Sequence, residues 1–176
     1  MAKADAILFG AGTLRAHGSA MSLRNSDLIA QRRQQQKPDQ PIQIVCTRSG
    51  NIATDIRFFQ QNIPRWLLTS QKGAKSWQSK PSDLFQQIIT PETGDSEINW
   101  QDALKMLSEK GIENLAILGG GELVAALFAE ELLDELWLTV CPVLLGGKTA
   151  PTPIEGMGLK AENAQNLKLI SVETID

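Results

Sequence analysis

Apolar positions along the chain follow two periods, and their succession sets out the elements. Ala6-Ile7-Leu8-Phe9 is a short unbroken apolar run closed by Gly10-Ala11-Gly12-Thr13, the pattern of a strand covered on both faces and followed by a tight turn. Ile42–Thr47, introduced by Pro41 and followed by Ser49-Gly50-Asn51, reads as a second strand with partial alternation, and Arg65–Thr69 reads as a third. Residues 85–89 form a short fourth strand before Pro91-Glu92-Thr93-Gly94, and residues 115–118 a further buried one. The helical period takes over where Ala103, Leu104 and Leu107 share a face between an Asn99 cap and a Gly111 terminator, and again at Leu123, Leu127 and Phe128 over residues 122–133. Residues 26–36 are rich in Gln and Arg and predict an exposed helix with Ser26 as its cap, ended by Lys37-Pro38 and covering little core. Late in the chain residues 135–141 alternate, with Leu136, Leu138 and Val140 on one face. A Pro- and Gly-rich loop at 151–158 then precedes a last alternating strand at 167–174. Strands alternating with helices early and paired strands late predict an α/β fold whose sheet is mostly parallel with an antiparallel edge.

Composition narrows the function classes. At 176 residues, 42% hydrophobic and 21% charged, the chain is sized and composed for one globular domain. A formal charge of −3 leaves no broad basic surface for nucleic acid, so an anionic ligand must be met by locally placed Arg, Lys or backbone N–H groups. Cys46 and Cys141 both lie in apolar runs and make no zinc or redox pattern; both are expected to act as small buried hydrophobes in a reducing cytoplasm. No metal is expected. The first twenty residues lack a basic stretch followed by an apolar one, and no apolar run approaches the roughly 18 residues of a membrane span, so neither secretion nor membrane insertion is expected.

The candidate chemistry lies in the glycine turns. Gly119-Gly120-Gly121-Glu122 joins a buried strand to a helix. Without Cβ atoms such a turn lets backbone N–H groups approach a phosphate at the positive end of the helix dipole. The same glycines also suit a turn that is tight for steric reasons alone, and a glycine run admits either reading. Gly10-Ala11-Gly12-Thr13 is a second such turn, and two in one open sheet favour a ligand, because ligands gather at the carboxyl ends of parallel strands. Neither is GxGxxG or GxxxxGK[ST], so a standard Rossmann or P-loop assignment is not supported.

Ala4-Asp5-Ala6-Ile7-Leu8 with the Gly10 turn, Arg24, Leu118-Gly119-Gly120-Gly121, Leu133-Asp134-Glu135-Leu136 and Pro142-Val143-Leu144-Leu145-Gly146 occur in order along nearly the whole chain. The set resembles the reductase domain of the bifunctional bacterial riboflavin-biosynthesis deaminase/reductase. The resemblance implies a three-layer, dihydrofolate-reductase-like fold with helices on both faces of the sheet. It implies a homodimer and NADPH-dependent reduction of the ribosyl group of 5-amino-6-(5-phosphoribosylamino)uracil, a small phosphorylated pyrimidine, to ribityl. By position it places Thr13 and His17 on the cofactor side, and Met21, Arg24 and Leu118 on the substrate side. Gly119, Gly120, Gly121, Glu122, Leu123 and Val124 fall at the pyrophosphate. Thr47, Arg48 and Ser49 fall at the adenosine 2′-phosphate, where a guanidinium can fork onto phosphate oxygens. No side chain is assigned an acid–base role, since the chemistry is hydride delivery by a positioned cofactor.

Two departures define the alternatives. The family carries a strand, loop and helix ahead of the Ala4 segment, so residues 1–176 read as a single reductase-like domain without that first strand and helix. Leu118 stands where many relatives place a glutamate facing the substrate base, and leucine cannot accept a hydrogen bond. Reduction of another small heterocycle is therefore one alternative, a non-catalytic nucleotide-binding or dimerising homologue a second, and a structural domain with incidental glycine turns a third.

Overall fold

The unbroken apolar runs become the middle of a parallel sheet. The computed structural model describes residues 2–92, 98–144, 146–147, 150, 152–156, 158, 160, 162 and 164–174. Five strands, β1 (Ala6–Gly10), β2 (Ile42–Thr47), β3 (Arg65–Thr69), β4 (Gln87–Ile89) and β5 (Leu115–Ile117), line up as β4-β3-β2-β1-β5. All four pairings are parallel, with Phe9 opposite Val45, Leu8 opposite Ile117 and Cys46 opposite Leu68. The helices are α1 (Ala11–His17), α2 (Ser26–Gln34), α3 (Gln71–Lys75), α4 (Trp100–Glu109) and α5 (Gly121–Ala129).

Successive strand side chains point to opposite faces, and the core divides accordingly. Leu8, Ile44, Leu68 and Ile89 pack with Ala103 and Leu107 of α4 and Leu123 and Leu127 of α5. Ile7, Phe9, Val45 and Leu67 pack on the other face with Leu14 of α1 and the aromatic group Phe58, Trp77 and Phe85. The expected three layers, helices on both faces of a buried sheet, are therefore present.

Local chemistry explains the element ends. Gly10 does not close a free turn; it caps α1, which ends at Gly18 with φ +66° and its N–H on Leu14 O. The α2 cap is Asn25 rather than Ser26, its side chain accepting from the N–H groups of Asp27 and Leu28. That polar helix buries one residue, Arg32, whose guanidinium donates to the carbonyls of Pro38, Ala2 and Ala4 at 2.6–3.0 Å. It thereby anchors the approach to β1. Asn99 caps α4 as its sequence pattern predicts, accepting from Asp102 N at 3.0 Å, whereas α5 stops at Ala129, short of the expected 133.

The late alternating segments differ from expectation. Residues 135–141 and 167–174 carry no strand pairing, and Trp137, Val140 and Val172 stand at least 80% exposed. Alternation yields a strand only where a neighbour completes the hydrogen-bond ladder, and among the described residues nothing pairs with the side of β5 turned away from β1. The expected antiparallel edge is thus absent from the described sheet. Cys46 is half-buried against the core as expected, but Cys141 is exposed with the rest of its segment. The turn expected at Thr93-Gly94, and Leu145, Pro151 and Met157 of the late loops, lie outside the described residues. No described helix is long and apolar enough to cross a membrane.

Candidate functional site

A parallel sheet delivers the carboxyl ends of all its strands to one edge. Here that edge carries the β1–α1 junction, the residues after β2 and the glycine turn after β5. Leu118 N donates to Leu8 O at 2.9 Å and extends the β1–β5 ladder by one step. The chain then turns through Gly119, whose φ of +69° is left-handed and favours glycine. The Gly119–Gly120 peptide is cis. A Cβ on Gly120 would sit 3.5 Å from Thr13 Oγ1, so the glycine turn runs directly against α1.

Gly120 caps α5 without side-chain help, and its carbonyl accepts from Leu123 N at 3.0 Å and Val124 N at 3.1 Å. The N–H groups of Gly121 and Glu122 are left at the helix start with no intrahelical acceptor, where the dipole favours an anion. The Leu123 side chain is buried in the core, while that of Glu122 is exposed. A second carboxylate lies close by: Glu155 N donates to Gly121 O at 3.2 Å, and the Glu155 side chain fills the space a Cβ on Gly121 would need.

Beside this turn opens a cleft of about 380 Å³. Phe9 of β1, Gln43 of β2 and Leu118 beyond β5 form its sheet wall, and Thr13, His17, Ser19, Ala20 and Met21 form the other. Two glutamines hold the loop that supplies the second wall. Gln61 bonds both the N–H and the carbonyl of Ala20, and Gln40 does the same for Leu23, all at 2.8–2.9 Å. Met21 lies at the mouth, largely exposed.

Of the residues singled out in the sequence, Thr13, His17, Met21 and Leu118 meet in this cleft. Arg24 is exposed further along the same loop and does not line it. Thr47 ends β2 and Arg48 and Ser49 follow it on the same sheet edge, also off the cleft. Thr47 Oγ1 and Ser49 Oγ are 3.4 Å apart, and the Arg48 carbonyl accepts from Ser70 Oγ at 2.7 Å. Sequence reasoning missed Phe9, Ser19, Ala20 and Gln43. Phe9 was legible as the second residue on the Ile7 face. Gln43 carried a signal, a polar residue inside an apolar run, but alternation reads it as exposed and the sheet buries it completely. Near the site, burial pushes the Cys46 thiol up to about 12 against the pull of Arg48, which removes it as a nucleophile at neutral pH. Among the described residues no cluster of three His, Cys, Asp or Glu side chains is placed to hold a metal.

Residues 1–176 match the family described as the RibD C-terminal domain. The 2,5-diamino-6-ribosylamino-4(3H)-pyrimidinone 5′-phosphate reductase of Aquifex aeolicus is 26% identical over 172 residues, 97% of this chain and 71% of its own. The reductase of the same name from Archaeoglobus fulgidus is 24% identical over 155 residues, 88% of this chain and 69% of its own. Among solved structures, Acinetobacter baumannii RibD superposes with a TM-score of 0.68 at 19% identity, over 96% of this chain and 43% of that one. That likeness establishes the fold.

Proposed function

Because the chain belongs to the RibD C-terminal domain family, we propose that it acts as the NADPH-dependent reductase of riboflavin biosynthesis, reducing the ribosyl group of 5-amino-6-(5-phosphoribosylamino)uracil to ribityl. The observation that carries this reading is the meeting of Thr13, His17, Met21 and Leu118 in one cleft, with Leu118 leading into the glycine turn at the start of α5. The relatives' printed names, both pyrimidinone phosphate reductases, point to the same reaction class.

The residues present fit a dinucleotide. Gly119 to Val124 would hold the pyrophosphate through the N–H groups of Gly121 and Glu122, with the glycines leaving room for close approach. Glu155, seated against Gly121, would repel that pyrophosphate, so binding requires its side chain to leave the turn. Thr47, Arg48 and Ser49 would take the 2′-phosphate, Thr13 and His17 would face the nicotinamide, and Met21 and Arg24 would face the phosphorylated substrate. When bound, the cofactor supplies the hydride. The chain's own task is to hold donor and acceptor carbon about 3–3.5 Å apart and to keep water out. The Gln61 and Gln40 clamps serve that task by fixing the loop over the cleft.

We further read the chain as a cytoplasmic homodimer of single reductase-like domains of the dihydrofolate-reductase type. The exposed apolar side chains of Trp137, Leu138, Leu169 and Val172 support the dimer, since a partner's surface would take them out of water. Fluorescence titration with NADPH and NADH on the wild type and Arg48→Ala tests the cofactor assignment. The expected result is tighter NADPH binding in the wild type, with the preference lost in the variant. Equal affinity for both cofactors in the wild type removes the 2′-phosphate assignment, and no binding of either removes the reductase reading.

A further inference from the structure

We propose that Gln43 is a specificity-determining residue, its side-chain carbonyl accepting a hydrogen bond from an N–H of the substrate's planar heterocycle at the floor of the cleft. The proposal rests on the reading of that cleft as the reductase's substrate site. Gln43 lies in β2 opposite Ile7 of β1 and Arg65 of β3, away from either edge of the sheet. It shares the face of Ile7, Phe9 and Val45, its apolar neighbours in β1 and β2. Its side chain is completely buried. Nε2 donates to Pro41 O at a long 3.3 Å, and Oε1 has no partner among the described residues.

An amide in such a place carries the desolvation penalty of its unpaired carbonyl, and a methionine or leucine of the same bulk would avoid it. Gln43 is nevertheless one of the residues that line the cleft. Its surroundings there decide what it can recognise. Phe9, Ala20, Met21 and Leu118 are apolar and suit the faces of a flat ring, while Thr13, His17 and Ser19 belong to the opposite wall. Among the described residues of the sheet wall Gln43 is the one polar side chain, so a ring laid against Phe9 and Leu118 finds its hydrogen-bond acceptor there. An acceptor among apolar side chains discriminates strongly, because a ring lacking the N–H would leave the carbonyl unpaired and bury a group against it. The chemistry selected is a ring N–H, as on a uracil or diaminopyrimidinone.

The nicotinamide carboxamide also carries N–H donors, and the experiment separates the two. Binding of NADPH, of diaminouracil and of its ring-N-methylated counterpart is measured by calorimetry on wild type, Gln43→Met and Gln43→Leu, with kcat and KM for the phosphoribosylaminopyrimidine and a thermal melt of each. The expected wild type prefers the N–H ring over the methylated ring by about ten- to hundred-fold. Both variants are expected to keep their melting temperature and NADPH affinity, to lose that ring preference, and to show a raised KM for the substrate. A wild type that binds both rings equally overturns the proposal even if neither variant folds. Unchanged ring preference in folded variants also overturns it, and so does a loss confined to NADPH affinity. Absence of NADPH binding with the ring preference intact would instead refute the reductase reading and leave Gln43 assigned.

Discussion

Asp5 shows how a side chain outside the cleft holds the starts of the strands together. Its backbone N–H donates to Asn114 O at 2.8 Å and its carbonyl accepts from Ile42 N at 3.0 Å. Its carboxylate accepts from Glu113 N and Asn114 N and pairs with Lys37 at 2.7 Å. One residue thus ties together the starts of β1, β2 and β5. Partial burial works against its charge, but Lys37 and the two N–H groups outweigh it and hold the carboxyl below its ordinary value. Because the folded value is depressed, the stability it contributes is fully present above the unfolded value, near 4 for a free Asp, and is lost as pH falls through the folded one. Asp5→Asn is therefore expected to lower unfolding free energy by about 1.5–3 kcal/mol at neutral pH. In urea melts that gap should close once the pH drops below the folded value; a gap that is constant with pH would contradict the account. The Asp stands out in the sequence only as part of a family motif, since its partners at 37 and 113–114 are distant in the chain. Arg32 and Gln43 were illegible for the same reason. Polarity predicts exposure, and only the surrounding backbone shows that each is fully buried.

Among the elements, legibility follows locality. β2 and β3 match their patterns end to end, and α4 keeps both its Asn99 cap and Gly111, which adopts φ +84°. α1 was read as a turn because its glycines mask a helix that draws its stability from packing Leu14 into the core. The Gly119 turn was legible in kind, and its φ of +69° now gives it a measurable requirement. A Cβ there meets no atom of the described residues within 4 Å, so the cost of Gly119→Ala is that of the left-handed backbone, about 1–2 kcal/mol. The variant is expected to fold with a lower melting temperature and to bind NADPH more weakly as the turn shifts. Unchanged stability together with unchanged NADPH affinity would remove the turn from the site.

At the scale of the whole molecule, the exposed segments 135–141 and 167–174 carry the prediction. As a homodimer the chain is expected to sediment at twice its monomer mass, and Leu138→Lys combined with Ile170→Lys is expected to shift it to monomer with the sheet intact by circular dichroism. A wild type that stays monomeric at high concentration would end the dimer reading. The sequence by itself determined the order of the five described strands and of α2, α4 and α5, the α/β class, the glycine turn and the family, because each is written in short-range period or in motif residues that keep their spacing. Only the tertiary structure decided that all five described strands run parallel, that the late alternating segments lie unpaired, and that Gln43 faces the same cleft as Thr13, His17, Met21 and Leu118. Strand order and sheet face depend on which distant backbones share hydrogen bonds, and a local pattern of apolar and polar residues is the same whichever neighbour completes the ladder.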